Sequence, residues 1–182
     1  ISAAATTTAR EALELGINWV LAPDADLDIE PANPIVQTRS FGSDPDMIGV
    51  AAGTWVRRCQ EAGALACIKH FPGHGRTTRD SHDDVPTVDA DLATLEATDL
   101  VPFRAGIAAG VATVMTGHLR VPALDPSGTP ATFSAPILRY LRDTLGFRGL
   151  IVTDALMMGA AVKDAATNPS VRALAAGCDV LC

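Results

Sequence analysis

Five short apolar runs divide the chain: Ile17–Leu21, Ala64–Ile68, Val111–Met115, Leu150–Val152 and Asp179–Leu181. Each is near-continuous rather than alternating, the pattern of strands covered on both faces in a parallel sheet. The stretches between them carry helical punctuation. Ser43, ahead of Asp44 and Pro45, is the expected N-cap of a helix running through Arg57 and Glu61 to Gly63. Ser134 with Pro136 opens another, which Gly146 closes. Gly16, Gly110 and Gly177 hold the same place, just after a helix-like stretch and just before a strand. The order helix then strand, five times over, predicts an α/β fold with parallel strands and right-handed crossovers. With no repeat of fixed period and no low-complexity linker, residues 1–182 read as one domain.

The strand ends say more than the strands. Off their carboxyl ends come Pro23-Asp24-Ala25-Asp26, then Lys69-His70-Phe71-Pro72, then Thr116-Gly117-His118, then Thr153-Asp154. Parallel α/β sheets, open or closed, build their sites at that edge, where the loops converge. Titratable residues delivered there by successive strands predict an active site.

Composition narrows the classes of function. Fourteen basic against 21 acidic residues leave a net charge of −7, which argues against a nucleic-acid binder held by phosphate contacts. Eight aromatics (two Trp, one Tyr, five Phe) are too few for a stacking platform. Charge, Gly or Pro interrupts every long apolar stretch, so no membrane segment is expected. Ile1 opens directly into helix-like sequence, with no basic start or cleavage site, and the compartment stays open. Cys59, Cys67, Cys178 and Cys182 have neither metal spacing nor disulfide density and read as buried thiols. At 182 residues the chain is short of a complete eight-stranded (β/α) barrel, which takes about 250.

The densest chemistry lies in Lys69-His70-Phe71-Pro72-Gly73-His74-Gly75, continuing to Asp80-Ser81-His82-Asp83-Asp84. Gly73 and Gly75 permit a tight backbone around His74. Asp80 and His82 stand two apart, close enough for the carboxylate to orient the imidazole and hold its pKa near neutrality. A metal site would draw on His70, His74 and His82 with a carboxylate, but no helical histidine spacing supports it. A phosphate-cradling loop fits less well, since the glycines do not open a helix. A purely structural loop would explain one histidine better than three beside Lys69 and Asp80. Asp154, ending a buried strand, reads either as the N-cap of the turn Ala155–Gly159 or as a nucleophile or electrostatic stabiliser facing the histidine loop.

Several blocks together carry a family resemblance. They are Ala22-Pro23-Asp24-Ala25-Asp26; Asn33-Pro34-Ile35 through Thr38-Arg39-Ser40-Phe41-Gly42-Ser43-Asp44-Pro45; the Lys69–Gly75 block with Asp80-Ser81-His82; Val114-Met115-Thr116-Gly117-His118; Pro130–Ser134; and Leu145 through Thr153-Asp154-Ala155-Leu156-Met157-Met158. In this order the chain resembles glycoside hydrolase family 3, in its β-N-acetylglucosaminidase branch. The resemblance implies a (β/α)8-barrel catalytic domain, here partial with about five βα units, and retaining hydrolysis of terminal β-linked N-acetylglucosamine without cofactor or metal. It implies that Asp154 attacks the anomeric carbon and that His82, paired with Asp80, protonates the leaving oxygen and later deprotonates the acceptor. It places Arg39, Lys69 and His70 on the sugar, with Asp24, His118 and Met157 as further substrate-binding candidates.

An imidazole of ordinary pKa near 6.5 can do acid and base work near neutrality without the burial a carboxylic acid needs. It also lacks a carboxylate's negative charge, so an anionic acceptor such as phosphate would be repelled less, and a phosphorolytic side activity is one expectation. The family's Asp-x-Glu-Gly-Gly block has no counterpart in this sequence. If the five strands are the fourth to eighth of a barrel, the first three are absent, and two sheet edges are open to self-association. The alternative readings are a catalytically inactive or weakly sugar-binding piece of such a barrel and, less favoured, a β-glucosidase or a metal-dependent hydrolase.

Overall fold

A computed structural model describes residues 1–81, 85–164 and 168–182. In chain order the elements are α1 (Ser2–Glu14), β1 (Trp19–Val20), α2 (Pro45–Glu61), β2 (Leu65–Phe71), α3 (Leu92–Ala97), α4 (Val101–Ala108), β3 (Thr113–Thr116), α5 (Ala135–Arg139), β4 (Leu150–Thr153), α6 (Gly159–Asp164) and α7 (Pro169–Ala176). Short 3-10 turns lie at Gln37–Arg39 and Ala131–Phe133, and a π turn at Tyr140–Thr144 extends α5. The strands lie side by side in the order β1-β2-β3-β4, every pair parallel, with Trp19 opposite Leu65, Cys67 opposite Thr113 and Thr113 opposite Leu150.

Alternate residues along the strands face opposite layers, as pleating requires. Ala66, Ile68, Val114 and Ile151 join Val56, Cys59, Phe103 and Leu138 in the helix-side core. Cys67, Met115 and Val152 point the other way, where Trp19 and Val180 pack against them. Both faces are thus apolar, which is why the runs read as continuous rather than alternating.

β1 is shorter than its apolar run, Trp19–Val20 within Ile17–Leu21, and β3 is Thr113–Thr116 rather than Val111–Met115; three further boundaries differ for reasons the packing shows. β2 does not end at Ile68 but continues to Phe71, so Lys69 and His70 lie within the strand. Phe71 explains the extension: it is fully buried and packs edge-on against Phe103, with ring centroids 5.4 Å apart. The register with β3 shifts between Ile68 and Phe71, and the Lys69–His70 and Phe71–Pro72 peptides are cis. The fifth run, Asp179–Leu181, meets the sheet at one parallel bridge, Val152 to Val180. There the Asp179 carboxylate takes the Ile151 N–H (2.7 Å) that a strand carbonyl would otherwise take. The helix N-cap is Asp44 rather than Ser43, because Pro45 occupies the first helical turn and the residue just before it accepts the Met47 N–H at 2.9 Å.

Ser134 caps α5 as expected, accepting the Ile137 N–H at 3.2 Å. All five helix-exit glycines have φ between 73° and 116°. Cys59, Cys67 and Cys178 are buried, but Cys182 is exposed, since it lies past the last bridge. No described helix is long and apolar enough to cross a membrane.

Candidate functional site

β1 continues past Val20 as an extended segment that still pairs with β2: Cys67 N donates to Ala22 O (2.9 Å), Lys69 N to Pro23 O (3.1 Å) and Ala25 N to Lys69 O (2.7 Å). This pairing carries Asp24 and Asp26 to the carboxyl edge of the sheet beside Lys69 and His70. Asp26 is buried and is the hub. Its Oδ2 lies 2.7 Å from His70 Nδ1, and its Oδ1 accepts the His74 N–H at 2.6 Å. A carboxylate acceptor on Nδ1 makes that nitrogen the donor and leaves the Nε2 lone pair facing outward. Around Nε2 stand Arg39 (NH2 at 3.4 Å) and Asp154 (Oδ2 at 3.8 Å). Asp24 closes the ring, 3.3 Å from the Arg39 guanidinium and 3.9 Å from His70 Nδ1.

Asp154 follows β4 directly. Its backbone N–H donates to Thr116 O (3.1 Å), and its Oδ1 accepts the Ala155 N–H (2.8 Å), so Oδ2 is the oxygen turned to His70. The turn-capping role open to a strand-end aspartate is thus taken by one oxygen only, and the other stays available.

Burial shapes the protonation of this group. It pushes the Asp24 carboxyl up to about 7, helped by the neighbouring Asp26 charge and opposed by His70 and Arg39. It pushes His70 down to about 4 against the pull of Asp24 and Asp154, so the ring is neutral near pH 7. Burial raises Asp26 as well, while the His74 charge and backbone N–H pull it back. Asp24, Asp26 and His70 present ligand atoms within 4.8 Å of one another, a donor set a small cation would accept. A cation there would have to displace the Nδ1 proton and meet the Arg39 guanidinium. The Nδ1–H hydrogen bond already serves Asp26, and the guanidinium already faces Asp24.

A cavity of about 340 Å³ opens beside this cluster, lined by Asp24, Arg39 and Lys69 with Pro23, Phe41 and Trp55 among its apolar walls. A few charged groups on apolar walls, at the small end of ligand-site volumes, fit a compact polar ligand with an apolar face.

The loop after β2 is fastened at its root. Asn33 Nδ2 donates to His74 O (2.8 Å) and Gly75 O (3.3 Å), and Arg76 Nε donates to Asp99 Oδ2 (2.7 Å). Gly75 passes so close to Leu27 that a Cβ would strike its carbonyl oxygen. His74 is buried, its pKa lowered by that burial; its Nε2 lies 3.1 Å from Ser81 Oγ. Asp80 is half-buried at the far end of this segment. His82 lies outside the described residues.

The structure therefore brings Asp24, Arg39, Lys69, His70 and Asp154 together at one edge. It sets His118 behind them, wholly buried, and leaves Met157 almost fully exposed on the turn after Asp154. Asp26 and Asn33 were not singled out from sequence. The signal for Asp26 was its spacing, two residues from Asp24 on an extended segment, which puts both on one face.

A parallel α/β sheet with acidic and basic side chains and a strand-end carboxylate gathered at its carboxyl edge has its candidate site where parallel α/β enzymes, barrels and open sheets alike, place theirs. Comparison makes this specific. Residues 1–182 match the model of the glycosyl hydrolase family 3 N-terminal domain. A β-N-acetylglucosaminidase/β-glucosidase of Cellulomonas fimi is 38% identical over 97% of this chain and 33% of its own length. A β-hexosaminidase of Xylella fastidiosa is 39% identical over 95% of the chain and 51% of its own length. The structure of a family 3 β-N-acetylglucosaminidase from Paenibacillus sp. str. FPU-7 superposes with a TM-score of 0.96 at 40% identity, covering 99% of this chain and 35% of that one. The chain belongs to glycosyl hydrolase family 3. It spans a third to a half of the length of these curated relatives.

Proposed function

We propose that the protein is a retaining β-N-acetylglucosaminidase whose nucleophile is Asp154. The observation carrying this reading is the asymmetric setting of that carboxylate: Oδ1 is tied to the Ala155 N–H, and Oδ2 is turned to the carboxyl-edge cluster, 3.8 Å from His70 Nε2. Oδ2 attacks the anomeric carbon, the glycosidic C–O bond breaks, and the departing oxygen takes a proton from the imidazolium of His82, which Asp80 orients. Water, giving its proton back to His82, then attacks the same carbon and frees Asp154. The neutral ring of His70 accepts a sugar hydroxyl at Nε2, while Arg39 and Lys69 donate to hydroxyl oxygens and Asp24 accepts from one.

Release of nitrophenol from an aryl β-N-acetylglucosaminide tests this. Turnover is expected to fall by several orders of magnitude in Asp154→Asn, with no comparable loss of melting temperature. Equal turnover in Asp154→Asn and the unsubstituted protein would refute the assignment. In His82→Ala, loss of the acid should hurt alkyl leaving groups far more than dinitrophenyl, which needs no protonation. The double name of the Cellulomonas fimi relative supports a second reading, in which the same site also takes β-glucosides. Parallel assays with the aryl β-glucoside separate the two.

A further inference from the structure

We propose that His118 is a positioning residue that fixes the attacking geometry of Asp154; this rests on the reading of Asp154 as nucleophile. His118 follows β3 and is completely buried, its ring stacked near-parallel on Phe133 with centroids 6.2 Å apart. It cannot reach a sugar in the cleft. Instead its Nε2 lies 3.0 Å from the carbonyl oxygen of Ala155 and its Nδ1 lies 2.9 Å from Thr132 Oγ1.

The proton order follows from the partners. A carbonyl oxygen only accepts, so Nε2 carries the hydrogen and donates to Ala155. The Thr132 hydroxyl has two acceptors in reach, His118 Nδ1 at 2.9 Å and the Gly117 carbonyl at 3.2 Å; donation to the nearer, Nδ1, makes that nitrogen the acceptor. Thr132 Oγ1 is in turn 2.9 Å from Thr116 Oγ1, which supplies the next proton. The chain runs from Thr116 through Thr132 and His118 to Ala155, each group both fixed and fixing.

Ala155 is where this matters. Its N–H holds Oδ1 of Asp154 at 2.8 Å, and its carbonyl is the one His118 grips. With the Asp154 N–H on Thr116 O at 3.1 Å, the nucleophile is held on both sides by groups that begin on β3. Remove the His118 donor and Ala155 loses its anchor in a buried setting. Oδ1 is then free to swing, and the carboxylate samples orientations in which Oδ2 no longer faces the anomeric carbon. Misplacement on the scale of 1 Å costs about a hundredfold in favourable cases.

The test uses an activated 5-fluoro N-acetylglucosaminyl fluoride, which transfers its sugar to the nucleophile with release of fluoride and leaves a slow-turning glycosyl-enzyme. In His118→Leu the labelling rate at saturation should drop by about tenfold or more while the half-saturating concentration changes by less than about twofold. His118→Gln, whose side-chain N–H can reach the same carbonyl, should recover most of the rate. Thr132→Val, which keeps the shape and removes the hydroxyl feeding Nδ1, should show a smaller loss of the same kind and decides the matter if His118→Leu does not fold. Labelling at the unsubstituted rate in a folded His118→Leu or, if it does not fold, in Thr132→Val overturns the proposal. So does a Gln variant as slow as the Leu variant, with melting temperatures lowered equally, since that is a packing effect only. If the unsubstituted protein is not labelled at Asp154 at all, the glycosidase reading itself fails and this proposal falls with it.

Discussion

Asp24 and Asp26 face the same side of one extended segment, yet their surroundings differ. Asp26 receives N–H donors from His70 and His74, whereas Asp24 Oδ2 has no hydrogen-bond donor among the described residues and faces Arg39 at 3.3 Å and His70 Nδ1 at 3.9 Å. The Asp24 carboxyl, ordinarily near 3.8, titrates at about 7 in the folded protein. The folded state therefore keeps a proton the unfolded chain releases, so its stabilising effect is complete below about pH 4 and is lost as pH rises through 7. His70 runs oppositely, from an ordinary 6.5 down to about 4, and its contribution grows as pH rises across that window. Between about pH 4 and 6.5 the two nearly cancel. Asp24→Asn removes the first and, by taking away a charge that holds the His70 pKa up, leaves the second no smaller. The variant should gain stability on the unsubstituted protein as pH rises from 4, levelling off above 7 with a gap of a few kcal/mol, at roughly 1.4 kcal/mol per pKa unit. Melting temperatures from pH 5 to 8 check it, and a gap that is constant or narrows upward contradicts it. Residue types and spacing drew Asp24, Lys69, His70 and Asp154 to one strand edge from sequence alone, and the family resemblance added Arg39. Asp26 and the inward turn of His118 escaped, because an acceptor's partners lie far away in sequence: Asp26 with His70 at a separation of 44, His118 with Ala155 at 37.

At the level of elements, the helix exits and the Ser134 N-cap were legible because they depend on neighbouring residues, a glycine at left-handed φ or a serine just ahead of the first turn, whereas the cap of α2 fell one residue later than expected, on Asp44. The end of β2 was not. Lys69 and His70 are polar and precede two turn-forming residues, so local chemistry favours a loop, while burial of Phe71 against Phe103 carries the strand further. The same tertiary logic governs the segment after it. Gly75 has ordinary φ but no room beside the Leu27 backbone, whereas Gly110 has φ of 79° and nothing within 4 Å of a Cβ. Gly110→Ala should cost about 1–2 kcal/mol through left-handed backbone strain and leave activity alone. Gly75→Ala should lower stability further and reduce turnover strongly, because the clash displaces the root that holds His74 on Asp26. Chemical denaturation and the aryl glycosaminide assay on both variants distinguish crowding from strain. Equal effects would show that the loop root is not tightly seated.

Across the whole molecule, parallel pairing and crossover order were readable from the five apolar runs, and the chain delivers four paired strands and one bridging run. What the runs did not disclose is how differently the two faces of the sheet are covered. One face is closed by helices over a large core, whereas the other is a small cluster of Cys67, Met115 and Val152 with Trp19 and Val180, beside a cavity of about 250 Å³. Continuous apolarity signals burial on both sides without saying what does the burying. The cysteines sample each environment. Cys59 belongs to the helix side, Cys67 to the other, Cys178 to the helix-side core near α7, and Cys182 is exposed. Burial pushes the Cys67 thiol up to about 11 and Cys178 up to about 12, so neither offers thiolate near neutrality. A colorimetric disulfide reagent at pH 8 should therefore react with Cys182 within seconds to minutes and with the other three only on unfolding, since reactivity follows thiolate fraction and access. Mass mapping of the labelled peptide identifies the site. Fast labelling of Cys67 in the folded protein would show instead that the face opposite the helices admits solvent, and that the Trp19–Val180 cluster does not seal it.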